Sequence, residues 1–250
     1  MADVVDRLES VTRDFPLALF YGSGATLSML TPACGVGAVV AADLAEERLP
    51  PETMRVAFDE EAQPFATGRF DLIVSVLTLH AANDPVGALA QMRQMLKPDG
   101  LLIAVALGEG TLGSLRRAFF QAETAIAGGV SPRVAPFGGV RDYGAALQRA
   151  GFALPVADLD RVRVTYGEPA RLFSDLRGMG ETSYLASRGR GLRRASFFAV
   201  LTHLASEAAM EFDLVTLTGW APHESQQIPL RPGSARQSLA AAVRRNDGAD

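Results

Sequence analysis

Between Leu17 and Leu107 the chain repeats one device: a short apolar run that stops at Gly or Asp, followed by helical or turn-like sequence. The runs are Leu17–Tyr21, ended by Gly22-Ser23-Gly24; Val36–Ala42, ended by Asp43; Met54–Phe58, ended by Asp59; Phe70–Leu77; and Leu101–Leu107. A strand that is apolar on both faces must be covered on both faces, the condition of a parallel sheet between helical layers. The helix before the fifth run is well punctuated. Asp84 suits the N-cap, Pro85 the first helical position, and Leu89, Met92 and Leu96 follow at helical spacing. Lys97-Pro98-Asp99-Gly100 then reads as a turn. An opening helix carries Val4, Val5, Leu8 and Val11 and is expected to end at Phe15-Pro16. Ala25–Leu30 is expected to be a short helix, stopped by Thr31-Pro32.

Beyond Thr111 the pattern changes. Helices are expected at 112–127 and 141–150, a strand at 154–165, a helical cover over 168–210 and a last strand at 212–218. A tail with a short terminal helix follows Trp220. The expectation is an α/β fold: a seven-stranded, mostly parallel sheet with an α-helical insertion before the last strand. Residues 1–250 read as one domain, with a ligand-binding half at 1–110 and a substrate or partner half at 111–250.

The 250 residues carry a formal net charge of −4, which offers nucleic acid no basic footprint. Cys34 is the single cysteine, so there is no disulfide framework, and a reducing compartment is implied. No window approaches the ~20 uncharged residues of a membrane helix. The start carries Asp3 and Asp6 beside one Arg7, unlike a basic targeting peptide. A cytoplasmic protein is expected. His80, His203 and His223 lack the spacing of a metal site, and none is predicted.

The chemistry concentrates at the ends of the apolar runs. Gly22-Ser23-Gly24 lets backbone amides approach a ligand, and a helix start behind them favours polar groups. Asp43 stands where a carboxylate accepts hydrogen bonds from ribose hydroxyls. A dinucleotide site shares that geometry, but Gly22-Ser23-Gly24-Ala25-Thr26-Leu27 lacks the third Gly of its fingerprint. Asp59-Glu60-Glu61-Ala62-Gln63-Pro64-Phe65, Phe70-Asp71-Leu72-Ile73-Val74-Ser75 and Leu96-Lys97-Pro98-Asp99-Gly100 follow. In that order the segments resemble class I S-adenosylmethionine (SAM)-dependent methyltransferases, whose Rossmann-like fold the resemblance implies here. It also implies SAM as cofactor, with Gly22 and Gly24 at the methionine part, Asp43 at the ribose and Asp59 at the adenine amino group.

Further segments resemble one subfamily. They are Ser131-Pro132-Arg133-Val134-Ala135-Pro136-Phe137, Asp175-Leu176-Arg177-Gly178-Met179-Gly180-Glu181, Leu217–His223 and the tail from Ser225-Gln226-Gln227 through Pro229–Ala235. The subfamily contains methyltransferase-like assembly factors of respiratory complex I, related to malonyl-carrier-protein methyltransferases. It implies a protein substrate or assembly partner, and for some members arginine hydroxylation rather than methylation. Two positions depart from the pattern. Phe20 stands where the family has the acid that tethers the methionine ammonium, and Thr26 replaces the third Gly. On that reading, Phe20→Asp is expected to tighten SAM binding. A second class of function follows from the same two residues: a non-catalytic assembly chaperone that keeps the fold without the cofactor. An NAD(P) oxidoreductase is disfavoured by the missing Gly. The candidate catalytic residues are His80, just past the fourth run, and Glu181, which could hold an arginine through a two-point carboxylate bond. Arg133, Arg177-Gly178-Met179-Gly180-Glu181, Trp220 and the Gln226-Gln227 tail are expected to help recognise the partner from loops, and Trp220 and His223 to stand just after the last strand, where side chains can approach a cleft.

Overall fold

A computed structural model describes residues 1–227 except 52, 190 and 208. The elements are α1 (Ala2–Ser10), β1 (Phe15–Tyr21), β2 (Val36–Asp43), β3 (Met54–Ala57), β4 (Phe70–Val76), α2 (Pro85–Met95), β5 (Leu96–Leu107), α3 (Gly113–Ala127), α4 (Val140–Arg149), β6 (Ala153–Val164), α5 (Pro169–Met179), α6 (Arg194–Ala205) and β7 (Met210–Trp220). The seven strands form one sheet in the order β3-β2-β1-β4-β5-β7-β6. β1 to β5 pair in parallel, while β7 runs antiparallel to both β5 and β6. The expected seven-stranded, mostly parallel sheet with a helical insertion before its last strand is the observed one, four of its six strand pairings being parallel.

Each face of the sheet is buried, as the apolar runs require. On one face Leu19, Ile73, Leu102 and Val215 meet α2 and α4 through Leu89, Met92 and Leu147. On the other, Phe15, Phe20, Leu72, Val74 and Ile103 meet Val4 and Leu8 of α1. Thr216 Oγ1 donates to Asp3 (3.0 Å), and Arg7 pairs with Asp158 of β6 at 2.9 Å. Asp84 caps α2 as expected, accepting from the Gly87 amide at 2.9 Å. A third cluster joins α3, α5 and α6 through Leu115, Phe119, Leu172 and Val200, and forms the helical cover.

Three local expectations are corrected. Phe15-Pro16 does not end α1, which stops at Ser10; it opens β1, with the Phe15 amide donating to Gly35 O (2.7 Å). The turn at Lys97–Gly100 is absorbed into β5, where Asp99 takes a left-handed φ of 62° and a register shift falls between Phe70 and Leu72. No α-helix follows the Gly loop. Gly24–Met29 is a 3₁₀ segment, in which Thr26 Oγ1 and Ser28 Oγ donate back to Ser23 O and Ala25 O and compete with helical pairing. The short helix expected behind the glycines is therefore present, but wound as 3₁₀ rather than α. The expected terminal helix and the Pro229–Ala235 segment lie outside the described residues.

Candidate functional site

In this sheet order the connections diverge between β1 and β4, and open α/β sheets form a crevice at the carboxyl ends of the strands beside such a switch point. A cleft of about 390 Å³ lies there. Tyr21 of β1, Asp43 of β2, Asp59 beyond β3 and Leu77 and Thr78 beyond β4 line it, and the Met179–Thr182 segment faces them. Asp43 is buried, and its Oδ1 accepts from the Ala45 amide at 3.1 Å. Asp59 Oδ1 likewise accepts from the Glu61 amide at 2.9 Å. Each turn uses one carboxylate oxygen. Neither Oδ2 has a hydrogen-bond partner among the described residues.

The two glycines stand behind this wall. Gly22 has φ +73°, and a Cβ there would lie 2.5 Å from both Thr78 Cγ2 and Val76 O. Only Gly lets the loop cross so close to the end of β4. Gly24 faces the Arg48 carbonyl at 3.6 Å from a would-be Cβ. Between them Ser23 is buried, and its Oγ has no hydrogen-bond partner among the described residues. A buried orphan hydroxyl beside a close-packed Gly turn is a feature a bound polar group would satisfy.

Sequence reasoning missed the most unusual carboxylate. Glu60 is only 7% exposed, and its Oε2 accepts from Thr78 Oγ1 at 2.8 Å, which in turn lies 2.8 Å from Ser75 Oγ. Its motif was visible as Asp59-Glu60-Glu61; its burial was not. Burial pushes the Glu60 carboxyl up to about 7 from its ordinary 4.5, against the opposing pull of the Thr78 hydroxyl. The folded value lies above the unfolded one, so the stabilisation is complete below about 4.5 and is lost as pH rises through about 7. Glu60→Gln removes the charge while keeping an acceptor for Thr78. It is expected to stabilise the protein by on the order of 2 kcal/mol at pH 8 and hardly at all at pH 4. Thermal melts at the two pH values check this, and an equal gain at both would point to packing instead.

Beside the cleft is a second, mostly apolar cavity of about 510 Å³, lined by Leu107, Val162, Val164, Phe212 and Leu214 under α5. Leu77, Met179 and Glu181 line both cavities. Leu77 takes a left-handed φ of 53°, a strained conformation for a branched side chain, where the cavities meet. Glu181 is placed there by the end of α5. Gly180 takes φ +84°, its amide donates to Arg177 O and the Glu181 amide to Leu176 O, the paired bonds of a Schellman cap.

His80 is a fixture rather than a free base. Its side chain is 1% exposed; Nδ1 accepts from the Leu107 amide at 3.3 Å, and Nε2 lies 3.1 and 3.2 Å from the two Glu181 oxygens. An accepting Nδ1 puts the proton on Nε2, which then donates to Glu181. Tyr184 Oη donates to His80 O at 2.9 Å, a second clip on the same segment. His80 thus positions Glu181.

The other expected partner residues are elsewhere. Arg133 reaches Glu123 of α3 through Nε (2.8 Å) and the carbonyls of Gly189 and Gly191 at 2.8 and 2.7 Å, so it ties loops together from a partly buried site. Because β7 is antiparallel, Trp220 at its end pairs with Leu101 at the far end of β5. There Arg13 stacks over Trp220 and pairs with Asp99, which also accepts from Gln226 at 2.8 Å. Trp220, His223 and Gln226 are therefore at the sheet end opposite the cleft. Among the described residues no group of three His, Cys, Asp or Glu side chains is arranged to hold a metal ion, and no helix is long and apolar enough to cross a membrane.

Comparison with known proteins agrees with this geometry. Residues 19–104 match the Methyltransferase domain family. The Mus musculus protein "Arginine-hydroxylase NDUFAF5, mitochondrial" is 36% identical over 258 residues, covering 98% of this chain and 75% of the relative. A malonyl-[acyl-carrier protein] O-methyltransferase of Laribacter hongkongensis is 40% identical over 137 residues, 55% of this chain and 44% of that one. Among solved structures, the YcgJ protein of a Bacillus superposes with a TM-score of 0.59 at 14% identity, over 89% of this chain and all of the other. The seven-stranded sheet, the cleft at its switch point and near-full-length similarity converge: the chain belongs to the family of methyltransferase-domain proteins that includes the arginine-hydroxylase NDUFAF5.

Proposed function

We propose that this protein binds SAM in the polar cleft and acts on a protein substrate at the adjoining apolar cavity, in the assembly of respiratory complex I. One observation carries the cofactor reading. Five carboxylates line the cleft (Asp43, Asp59, Glu60, Glu61 and Glu181) against the single guanidinium of Arg48. Such a site repels the pyrophosphate of a dinucleotide and favours a ligand bearing sulfonium and ammonium charges. The free Oδ2 atoms of Asp43 and Asp59 in the cleft fit the hydroxyl and amino donors of a nucleoside. When bound, the cofactor supplies an electrophilic methyl group. This chain's own residues hold the ribose through Asp43 and the adenine edge through Asp59. The Met179–Thr182 segment bounds both cavities, and Glu181, steadied by His80, presents a carboxylate to the substrate side.

The same Glu181 favours the second reading, in which the substrate is an arginine of an iron–sulfur subunit and the product is hydroxylated. The named relatives are arginine hydroxylases, and a carboxylate at the end of an apolar cavity suits a guanidinium on an aliphatic stem. Mass spectrometry of the treated subunit separates the readings, since the added mass differs between a methyl and an oxygen. A cytoplasmic setting is supported by the lone, buried Cys34, although the named relatives are mitochondrial.

Calorimetry tests the cofactor site. Asp43→Ala is expected to weaken S-adenosylhomocysteine (SAH) by on the order of 1–3 kcal/mol, the scale for losing bonds to a charged acceptor. Failure of the unaltered protein to bind SAM or SAH at all would favour the non-catalytic chaperone reading.

A further inference from the structure

We infer that Glu60 holds the α-ammonium group of the cofactor's amino-acid arm, in place of the acid absent at position 20. The inference rests on the reading of the cleft as a SAM site. A charged ammonium needs an anionic or carbonyl partner once removed from water. The strand position that carries this acid in the resembling family is occupied by Phe20, which is fully buried in the apolar layer beneath α1. Glu60 supplies a carboxylate to the same neighbourhood from the β3–β4 connection. The Gly loop passes directly against Thr78, whose Cγ2 lies 2.5 Å from a Gly22 Cβ position, and the hydroxyl of that same Thr78 holds Glu60 Oε2 at 2.8 Å. One threonine therefore separates the Gly loop from the Glu60 carboxylate.

Glu60 is also poised rather than satisfied. Oε2 is fixed by Thr78, while Oε1 has no hydrogen bond among the described residues, although the residue is more than nine-tenths buried and lines the cleft. A carboxylate kept under those conditions is unfavourable for the empty protein, and a cationic group on Oε1 relieves it. Arg48 lines the same cleft without any side-chain hydrogen bond or ion pair among the described residues. It gives the arm's carboxylate an opposite charge, so the zwitterion meets one group of each sign.

The test compares two ligands on the intact chain. SAH carries the amino-acid arm; 5′-methylthioadenosine has the same nucleoside and thioether without it. Glu60→Gln is expected to raise the Kd for SAH about tenfold or more while leaving that for methylthioadenosine within twofold. Asp43→Ala is expected to weaken both. Thr78→Val keeps the shape, frees Glu60 from its orienting donor, and is expected to weaken SAH selectively but less. Equal changes for the two ligands in Glu60→Gln, or no change for SAH, would overturn the assignment while leaving the cofactor site intact. No binding of either ligand to the unaltered protein would remove the cofactor reading and this assignment with it.

Discussion

Phe20→Asp is expected to unfold the protein or lower its melting temperature drastically, and not to tighten SAM binding. Phe20 is fully buried near the carboxyl end of β1, an interior strand, in register with Ala41 on one side and Val74 on the other. Its ring packs among Val4, Leu8, Phe15 and Ile103. Removing a buried Phe side chain costs about 3–5 kcal/mol through lost burial and the cavity left behind. A carboxylate in that apolar cluster adds a further desolvation penalty. A domain has about 5–15 kcal/mol of stability in total, so this single change takes most of it. Phe20→Leu, by contrast, is expected to fold and to bind SAH as the unaltered protein does. Melting and calorimetry on the pair decide the matter. A folded Phe20→Asp protein with tighter SAH binding would mean that the strand can turn position 20 toward the ligand.

That result marks the boundary between what the sequence makes legible and what it does not. The apolar runs from Leu17 to Leu107 read as strands because both faces of a parallel sheet are buried, a condition visible residue by residue. The position of Asp43 and Asp59 by the strand ends that border the cleft was legible for the same reason: the end of an apolar run is the end of a strand. The facing of a side chain within a fully apolar strand is not visible, since periodicity is lost when both faces are apolar. This is why Phe20 read as a damaged ligand contact when it is core.

Direction was equally hidden. The Phe212–Thr218 run announces a strand but not its sense, and the antiparallel sense of β7 carries Trp220 and His223 away from the cleft. Glu60 escaped notice because a charged residue in a charged tripeptide looks solvated. It is the packing of Thr78 and Ser75 across the β4 end, contacts 15–18 residues away in sequence, that buries it. Glu181 was singled out for its motif, and the structure adds what places it: a Schellman cap and a histidine from the β4 end. The β1 to β4 ends thus supply Asp43, Asp59 and Glu60 to the cleft, and the α5–α6 connection brings Glu181, the one acidic group among the described residues that lines both cavities.

The stability of that connection depends on Arg133, and Arg133→Ala is expected to cost about 3–5 kcal/mol. Glu123 is 3% exposed, and Arg133 is its cation: the closest approach of the pair is 2.6 Å. Breaking a buried pair from one side leaves the other charge desolvated and unpaired, which is why the loss exceeds the modest net worth of the pair itself. The effect reaches further than the pair. The same guanidinium holds Gly189 O and Gly191 O, while the Gly189 amide donates to Ser131 Oγ at 2.5 Å. The α5–α6 connection is therefore tied to α3 on one side and clipped to the cleft by Glu181 and Tyr184 on the other. Loss of Arg133 releases the first tie. Trypsin is then expected to cut at Arg188 or Arg193 at concentrations that leave the unaltered protein whole, since cleavage follows local opening. The double change Glu123→Gln, Arg133→Met removes both charges and is expected to recover most of the melting temperature without restoring protection of the loop. Recovery of both by the double change would show that the carbonyl contacts hold nothing, and that the connection is positioned by the cleft contacts alone.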